Sequence, residues 1–167
     1  GYLRQTGDYA GIELLDYYLV YRALVRAKVA ILRLAQPGLD MAEQQAVREE
    51  YQSYMDLASE CAGSRRRALI ITHGLSGSGK SWYAERLVER LGAFRIRSDV
   101  ERKRLYGYSP QADTASAIGS GIYTAAAGMR TYDQLARLAR HGIDAGYPVI
   151  IDATFLGREQ RERFRQL

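Results

Sequence analysis

Apolar residues at Ile12, Leu15, Leu19, Leu24, Ala27 and Ile31 recur near the 3.6-residue period, which predicts a helix over residues 11–35. Pro37-Gly38 stops it. A second helix is expected over about 40–61, with Val47, Tyr51, Tyr54, Met55 and Ala58 on its buried side. Asp40 with Glu43 three residues on makes a capping box at its start. Two helices and a short turn give a helical hairpin. Tyr17, Tyr18, Tyr21, Tyr51 and Tyr54 fall at core-like spacing and are read as packing residues.

The texture changes after residues 63–66. Ala68-Leu69-Ile70-Ile71-Thr72 is a short, continuous apolar run, as in a strand of a parallel sheet buried on both faces. A glycine-rich loop follows, then a helix from Ser81 to about Leu91, ended by Gly92. Phe94 to Ser98 reads as a second strand, and Tyr147 to Asp152 as a third. Between them lie a helical or irregular stretch over 102–108, a small-residue loop over 109–120 expected to be mobile, and a long helix over 121–145 broken by Gly146. Another helix starts at Gly157. Strands alternating with helices imply an α/β fold, a parallel sheet flanked by helices on both faces, preceded by the α-helical hairpin. Two domains are expected, residues 1–64 and 65–167.

Charge follows this division. Residues 1–66 carry 8 Lys and Arg against 9 Asp and Glu, and residues 67–167 carry 16 against 10. The positive excess lies in the half with the glycine-rich loop and suits a polyanionic ligand. The basic groups are scattered, and Arg65-Arg66-Arg67 reads as a solvated linker. No dense basic stripe interleaves with exposed aromatics, so nucleic acid is not the expected partner. No apolar run of about 18 residues predicts a membrane span, and no secretory signal opens the chain. The single cysteine, Cys61, is expected on a helix, buried or half-buried, and fits a cytoplasmic protein. The chain starts in a polar turn without Met and ends within a helical pattern at Leu167. Both ends are therefore expected to be cut.

Gly74-Leu75-Ser76-Gly77-Ser78-Gly79-Lys80-Ser81 is G-x-x-x-x-G-K-S, the phosphate-binding P-loop pattern (Walker A), set between a buried strand and a helix. Its glycines let successive N–H groups turn inward onto phosphate oxygens, and the helix start behind favours negative charge. Lys80 reaches the β- and γ-phosphates of ATP, and the Ser81 hydroxyl is placed to ligate Mg2+. His73, just before the loop, reads as a structural histidine. Ligands of open parallel sheets bind beyond the carboxyl ends of strands, where two acids stand. Asp152 ends the third strand and either orients Mg2+ or caps the next segment. Asp99 follows the second strand and either accepts the proton of an attacking hydroxyl or caps a helix. Arg102, three residues on, contacts an acceptor or phosphate, or is a surface cation. Arg158, Arg161, Arg163 and Arg165 read as a solvated charged face.

Three stretches together carry a resemblance: His73 to Ser81, Arg97-Ser98-Asp99-Val100-Glu101-Arg102-Lys103, and Val149-Ile150-Ile151-Asp152-Ala153-Thr154-Phe155-Leu156. Over about 67–167 the chain resembles P-loop kinases of the zeta-toxin, polynucleotide-kinase and gluconate-kinase group, nearest the subgroup named simply for its AAA-type ATPase domain. The resemblance implies an ATP- and Mg2+-dependent phosphotransferase in which Asp99 faces the acceptor hydroxyl of a small molecule. It also implies that a lid and an adenine-contacting segment lie beyond Leu167. Residues 9–35 are similar to the C-terminal helices of aminoglycoside-phosphotransferase-like proteins, which implies fusion to such a domain. The catalytic segments of that domain do not occur here. Two other functions stay open: a nucleotide-binding regulatory module of a fused protein, and a kinase of nucleic-acid 5′ ends.

Overall fold

The computed structural model describes residues 2–63, 66–112 and 121–167. The chain divides into two compact units, Gly11–Ser64 and Gly1–Ala10 with Arg65–Leu167. The second unit opens with a short helix, α1 (Tyr2–Thr6).

In the hairpin unit, a 3-10 turn at Ala10–Leu14 leads into α2 (Leu15–Leu34), which packs along α3 (Met41–Ala62). The capping box forms as expected: Asp40 accepts from the Glu43 N–H at 2.8 Å, and Glu43 accepts from the Asp40 N–H at 3.0 Å. Small residues make the seam. Ala23, Ala27 and Ala30 of α2 and Val47, Ala58 and Cys61 of α3 are its buried positions. The tyrosines depart from the packing role expected of them. Tyr17, Tyr18 and Tyr21 are exposed, and Tyr51 and Tyr54 are half-buried. An alanine seam brings two helices close, which leaves the large side chains off the line of contact.

The α/β unit continues with β1 (Leu69–Ile71), α4 (Lys80–Leu91), β2 (Phe94–Arg97), α5 (Ser98–Leu105), α6 (Ala125–Asp144), β3 (Val149–Asp152) and α7 (Arg158–Arg165). A 3-10 turn, Gly121–Tyr123, precedes α6. The loop expected over 109–120 lies for the most part, at 113–120, outside the described residues. The stretch over 102–108, expected to be helical or irregular, opens in a helix that begins earlier, at Ser98, and ends at Leu105, so Asp99 lies inside its first turn.

The three strands are parallel in the order β1-β3-β2. The strand last in sequence is thus central, with Ile150 opposite Ile70 on one side and Arg95 on the other. Residues of β3 alternate between the faces of the sheet. Ile150 packs with Ala84 of α4 and Ala93, helped by Leu87 and Val88. Val149 points at α6, where Gly142 lets the helix backbone come close: a Cβ at Gly142 would stand 2.5 Å from Val149 Cγ2. Val149, Ile150 and Ile151 are fully buried, and at roughly 2 kcal/mol each such side chains are a large part of what holds the layers together. Beside them Tyr132, Phe155 and Phe164 meet edge to face, with centroids 5.1 and 4.9 Å apart for the two Phe155 pairs.

Residues 2–9 are tied to α5 by a buried polar cluster. The Tyr9 hydroxyl donates to Glu101 Oε1 at 2.8 Å, Arg104 pairs with the same carboxylate, and Arg104 also donates to the Arg4 carbonyl at 2.8 Å. Burial, and then the Glu101 carboxylate, push the Tyr9 phenol well above its ordinary pKa. Among the described residues no helix is long and apolar enough to cross a membrane. Cys61 is a free, buried thiol.

Candidate functional site

The glycine-rich loop takes backbone angles closed to most side chains. Gly77 and Gly79 sit at φ of 81° and 80°, and Gly79 in this left-handed conformation is the residue from which α4 starts. The Gly74 N–H donates to the Thr154 carbonyl at 3.0 Å, which binds the start of the loop to the segment after β3. Phe155 in that segment is the one described non-glycine residue with positive φ, 46°, and its N–H donates to the Tyr132 hydroxyl at 3.0 Å. Lys80 lies over the loop, bonded to the Leu75 carbonyl and to Ser78 Oγ at 3.2 Å. His73 is exposed, against the expectation of a structural histidine.

The order β1-β3-β2 puts the carboxyl ends of β1 and β3 side by side, and with them Ser81 and Asp152. Ser81 Oγ donates to Asp152 Oδ2 at 2.8 Å. The same oxygen accepts from Arg95 Nε at 3.1 Å and from its terminal nitrogen at 2.5 Å. Sequence reasoning does not single out Arg95. Its only signal there is a charged residue within a short apolar strand, two positions before another arginine. Arg95 and Arg97 share the α4 face of the sheet with Asp152, since Arg95 pairs with Ile150 and Arg97 with Asp152 in register.

Asp99 does not cap α5. Arg97 is the residue at the cap position, and no side chain caps the helix there. The Asp99 carboxylate is half-exposed and held loosely, 3.6 Å from Arg97 and 3.8 Å from Lys103. Arg102 lies one layer back: its guanidinium covers the Tyr123 ring at 4.8 Å and its Nε donates to Thr131 at 3.3 Å.

An open cleft of about 610 Å3 gathers these parts. Gly77, Gly79, Lys80 and Ser81 line one wall, Arg97, Asp99 and Tyr123 another, and Asp152 lies in it as well. Of the residues expected in the site, Gly74, Leu75, Ser78 and Arg102 are absent from the lining, and Arg102 stands against Tyr123, which does line it.

The donor set fits magnesium. Among the described residues no group of three or more His, Cys, Asp and Glu is placed to hold a metal. Mg2+ needs no such group, because it keeps several waters and takes one or two protein oxygens together with substrate phosphate. Ser81 and Asp152, 2.8 Å apart, would supply that pair of oxygens. A cation at Asp152 Oδ2 has to share it with Arg95 or take the other carboxylate oxygen.

Residues 69–167 match the family model described as an AAA domain. The chain belongs to this AAA domain family. Strand, phosphate loop and helix in that match, with the parallel sheet flanked by helices, make it a P-loop NTPase-like, nucleotide-binding fold. Across its whole length the chain is 33% identical to uncharacterized proteins of Mycobacterium tuberculosis (strain ATCC 25618 / H37Rv) and Mycobacterium bovis (strain ATCC BAA-935 / AF2122/97). It spans about a third of their length, 32%. No solved structure matches it significantly.

Proposed function

We propose that this AAA domain is an ATP-dependent kinase that moves the γ-phosphoryl group of Mg·ATP to a hydroxyl of a small molecule. The reading is carried by one observation: the phosphate loop and Asp99 line the same cleft, with Asp152 between them. In it, residues Gly74 to Ser81 wrap the phosphates and Lys80 balances charge on the transferring group. Ser81 and Asp152 would hold magnesium, which would supply positive charge to offset that of the phosphate groups. Asp99 orients the acceptor hydroxyl and takes its proton. Arg102 supports this wall of the cleft by its stack on Tyr123. The reading extends to the kinase group that the three motifs resemble, to a cytoplasmic setting, and to a longer protein in which residues 1–64 are the C-terminal tail of an aminoglycoside-phosphotransferase-like domain.

Calorimetric titration of Mg·ATP into the wild type and Lys80→Ala, followed by ADP release over a panel of hydroxyl acceptors, tests it. The kinase should bind Mg·ATP only with Lys80 in place, and one acceptor should speed ADP release. Asp99→Asn should then lose transfer by about 100-fold or more while keeping ATP affinity. Tight ATP binding that no acceptor accelerates, and that Asp99→Asn leaves unaffected, would favour the regulatory module.

A further inference from the structure

Two arginines stand on the same face of β2, and they are held very differently. Arg95 is committed: it makes two hydrogen bonds to Asp152, at 3.1 and 2.5 Å, and the two side chains are 15% and 6% exposed. Arg97 is available. It lines the cleft, is 34% exposed, and pairs with the half-exposed Asp99 at 3.6 Å, beyond hydrogen-bond length. Lys103, 3.8 Å away on the other side of the same carboxylate, is held no more tightly. Arg102 adds a third cation behind Tyr123. Among the described residues, two cations therefore flank one carboxylate at this end of the cleft, and Arg102 is a further positive charge on the same helix. Glu101, the other acid of α5, is spent on Arg104 and Tyr9. The phosphate loop has its own cation in Lys80, so this excess is not needed for the nucleotide.

We infer that Arg97 is the anchor of an anion subsite, and that the acceptor is a small hydroxylated molecule carrying its own phosphate or carboxylate group. The inference rests on the kinase reading for the word acceptor, but the subsite itself is defined by Arg97. The geometry bounds the molecule. One hydrogen bond of about 2.8 Å from each of Arg97 and Asp99, across the 3.6 Å between them, puts the reacting hydroxyl within roughly 9 Å of the anionic group. One sugar or polyol unit with its anionic group fits inside that distance. An arriving oxyanion takes the Arg97 guanidinium, which has planar geometry suited to two parallel bonds. Asp99 is thereby released from its nearest cation and free to bond the hydroxyl. Binding the anion and arming the acid become one event.

The test reads Arg97 directly, with the phosphate loop filled by Mg·ADP. Arginine modification by phenylglyoxal is mapped by mass spectrometry, with the more buried Arg95 as internal control. The probes are two matched triads: glycerol, glycerol 3-phosphate and glycerate, then glucose, glucose 6-phosphate and glucuronate. The phosphate or the carboxylate member of at least one triad should slow modification of Arg97 at least fivefold, with no effect of the neutral member. Which member protects tells phosphate from carboxylate. In transfer assays Arg97→Gln should raise KM for that acceptor by about 10- to 150-fold, the worth of a charged hydrogen bond, with kcat changed far less. Arg97→Lys should recover part of the loss. Protection of Arg97 without any transfer would keep the subsite and sink the kinase. Transfer to neutral and anionic acceptors with equal KM, or no protection by any anionic probe, would overturn the subsite.

Discussion

Arg95→Met removes the guanidinium from Asp152 and keeps most of the aliphatic stem. The wild-type side chain makes two charge-assisted hydrogen bonds to one carboxylate oxygen, at 3.1 and 2.5 Å, between side chains only 15% and 6% exposed. A hydrogen bond to a charged group is worth about 1.5–3 kcal/mol, and breaking a buried ion pair costs about 3–5 kcal/mol because a charge is left behind. Ser81 still donates to Asp152 at 2.8 Å, which favours the lower figure, about 3 kcal/mol. Trp82 is the only tryptophan of the chain. It lies in the α/β unit, where Arg86 covers its ring at 3.4 Å, so its fluorescence follows the unfolding of that unit. In urea the midpoint should fall by about 1.5 M, for a slope near 2 kcal/mol per M. Asp152→Asn alone should also destabilise, since it strands Arg95. The double variant has no charge left to strand, so it should cost clearly less than the two singles together, by about 2 kcal/mol. A loss under about 1 kcal/mol for Arg95→Met would refute the reasoning. So would a cycle that is additive to within about 0.5 kcal/mol, the behaviour of independent sites.

Two further outcomes follow from the packing. Tyr9 keeps its proton in the folded state well above the ordinary phenol value near 10, while the unfolded chain loses it. Stability contributed by this difference is whole below about pH 10 and falls at higher pH, by about 1.4 kcal/mol per unit; the fall should be shallower in Tyr9→Phe, and equal slopes in urea titrations between about pH 9.5 and 11 would contradict this. Gly142→Ala should destabilise the α/β unit by about 1–2 kcal/mol, because the clash with Val149 Cγ2 at 2.5 Å outweighs the helix propensity gained. The companion Val149→Ala should make the added methyl tolerable, and a stabilised single variant would show that the helix has room to move.

Several parts of this protein are legible in the order of its residues. The phosphate loop is written in closely spaced glycines whose backbone freedom fixes its shape, and the flanking strand and helix follow from local apolar pattern. The Asp40–Glu43 box is equally local, since both bonds join residues three apart. Cys61 on its helix and the acid at the end of β3 stand where the pattern puts them. The tyrosines of α2 are not legible in this way, because period alone marks a face and does not say which face an alanine seam will choose. His73 departs from expectation for a similar reason: its neighbours in sequence do not reveal what covers it.

The sequence alone therefore carries the inventory: one phosphate loop, three strands, two strand-end acids and a hairpin ahead of them. Each depends on residues adjacent along the chain, through backbone angles, periodicity and capping. How the inventory meets depends on the tertiary fold. The order β1-β3-β2 brings Ser81 to Asp152, and the parallel register of β2 on β3 sets Arg95 against the same carboxylate. The fold also buries Glu101 under Tyr9, 92 residues away in sequence, and leaves Arg97 loosely held beside Asp99. Such pairings depend on strand order and register, which come from packing among distant segments, so no local pattern encodes them.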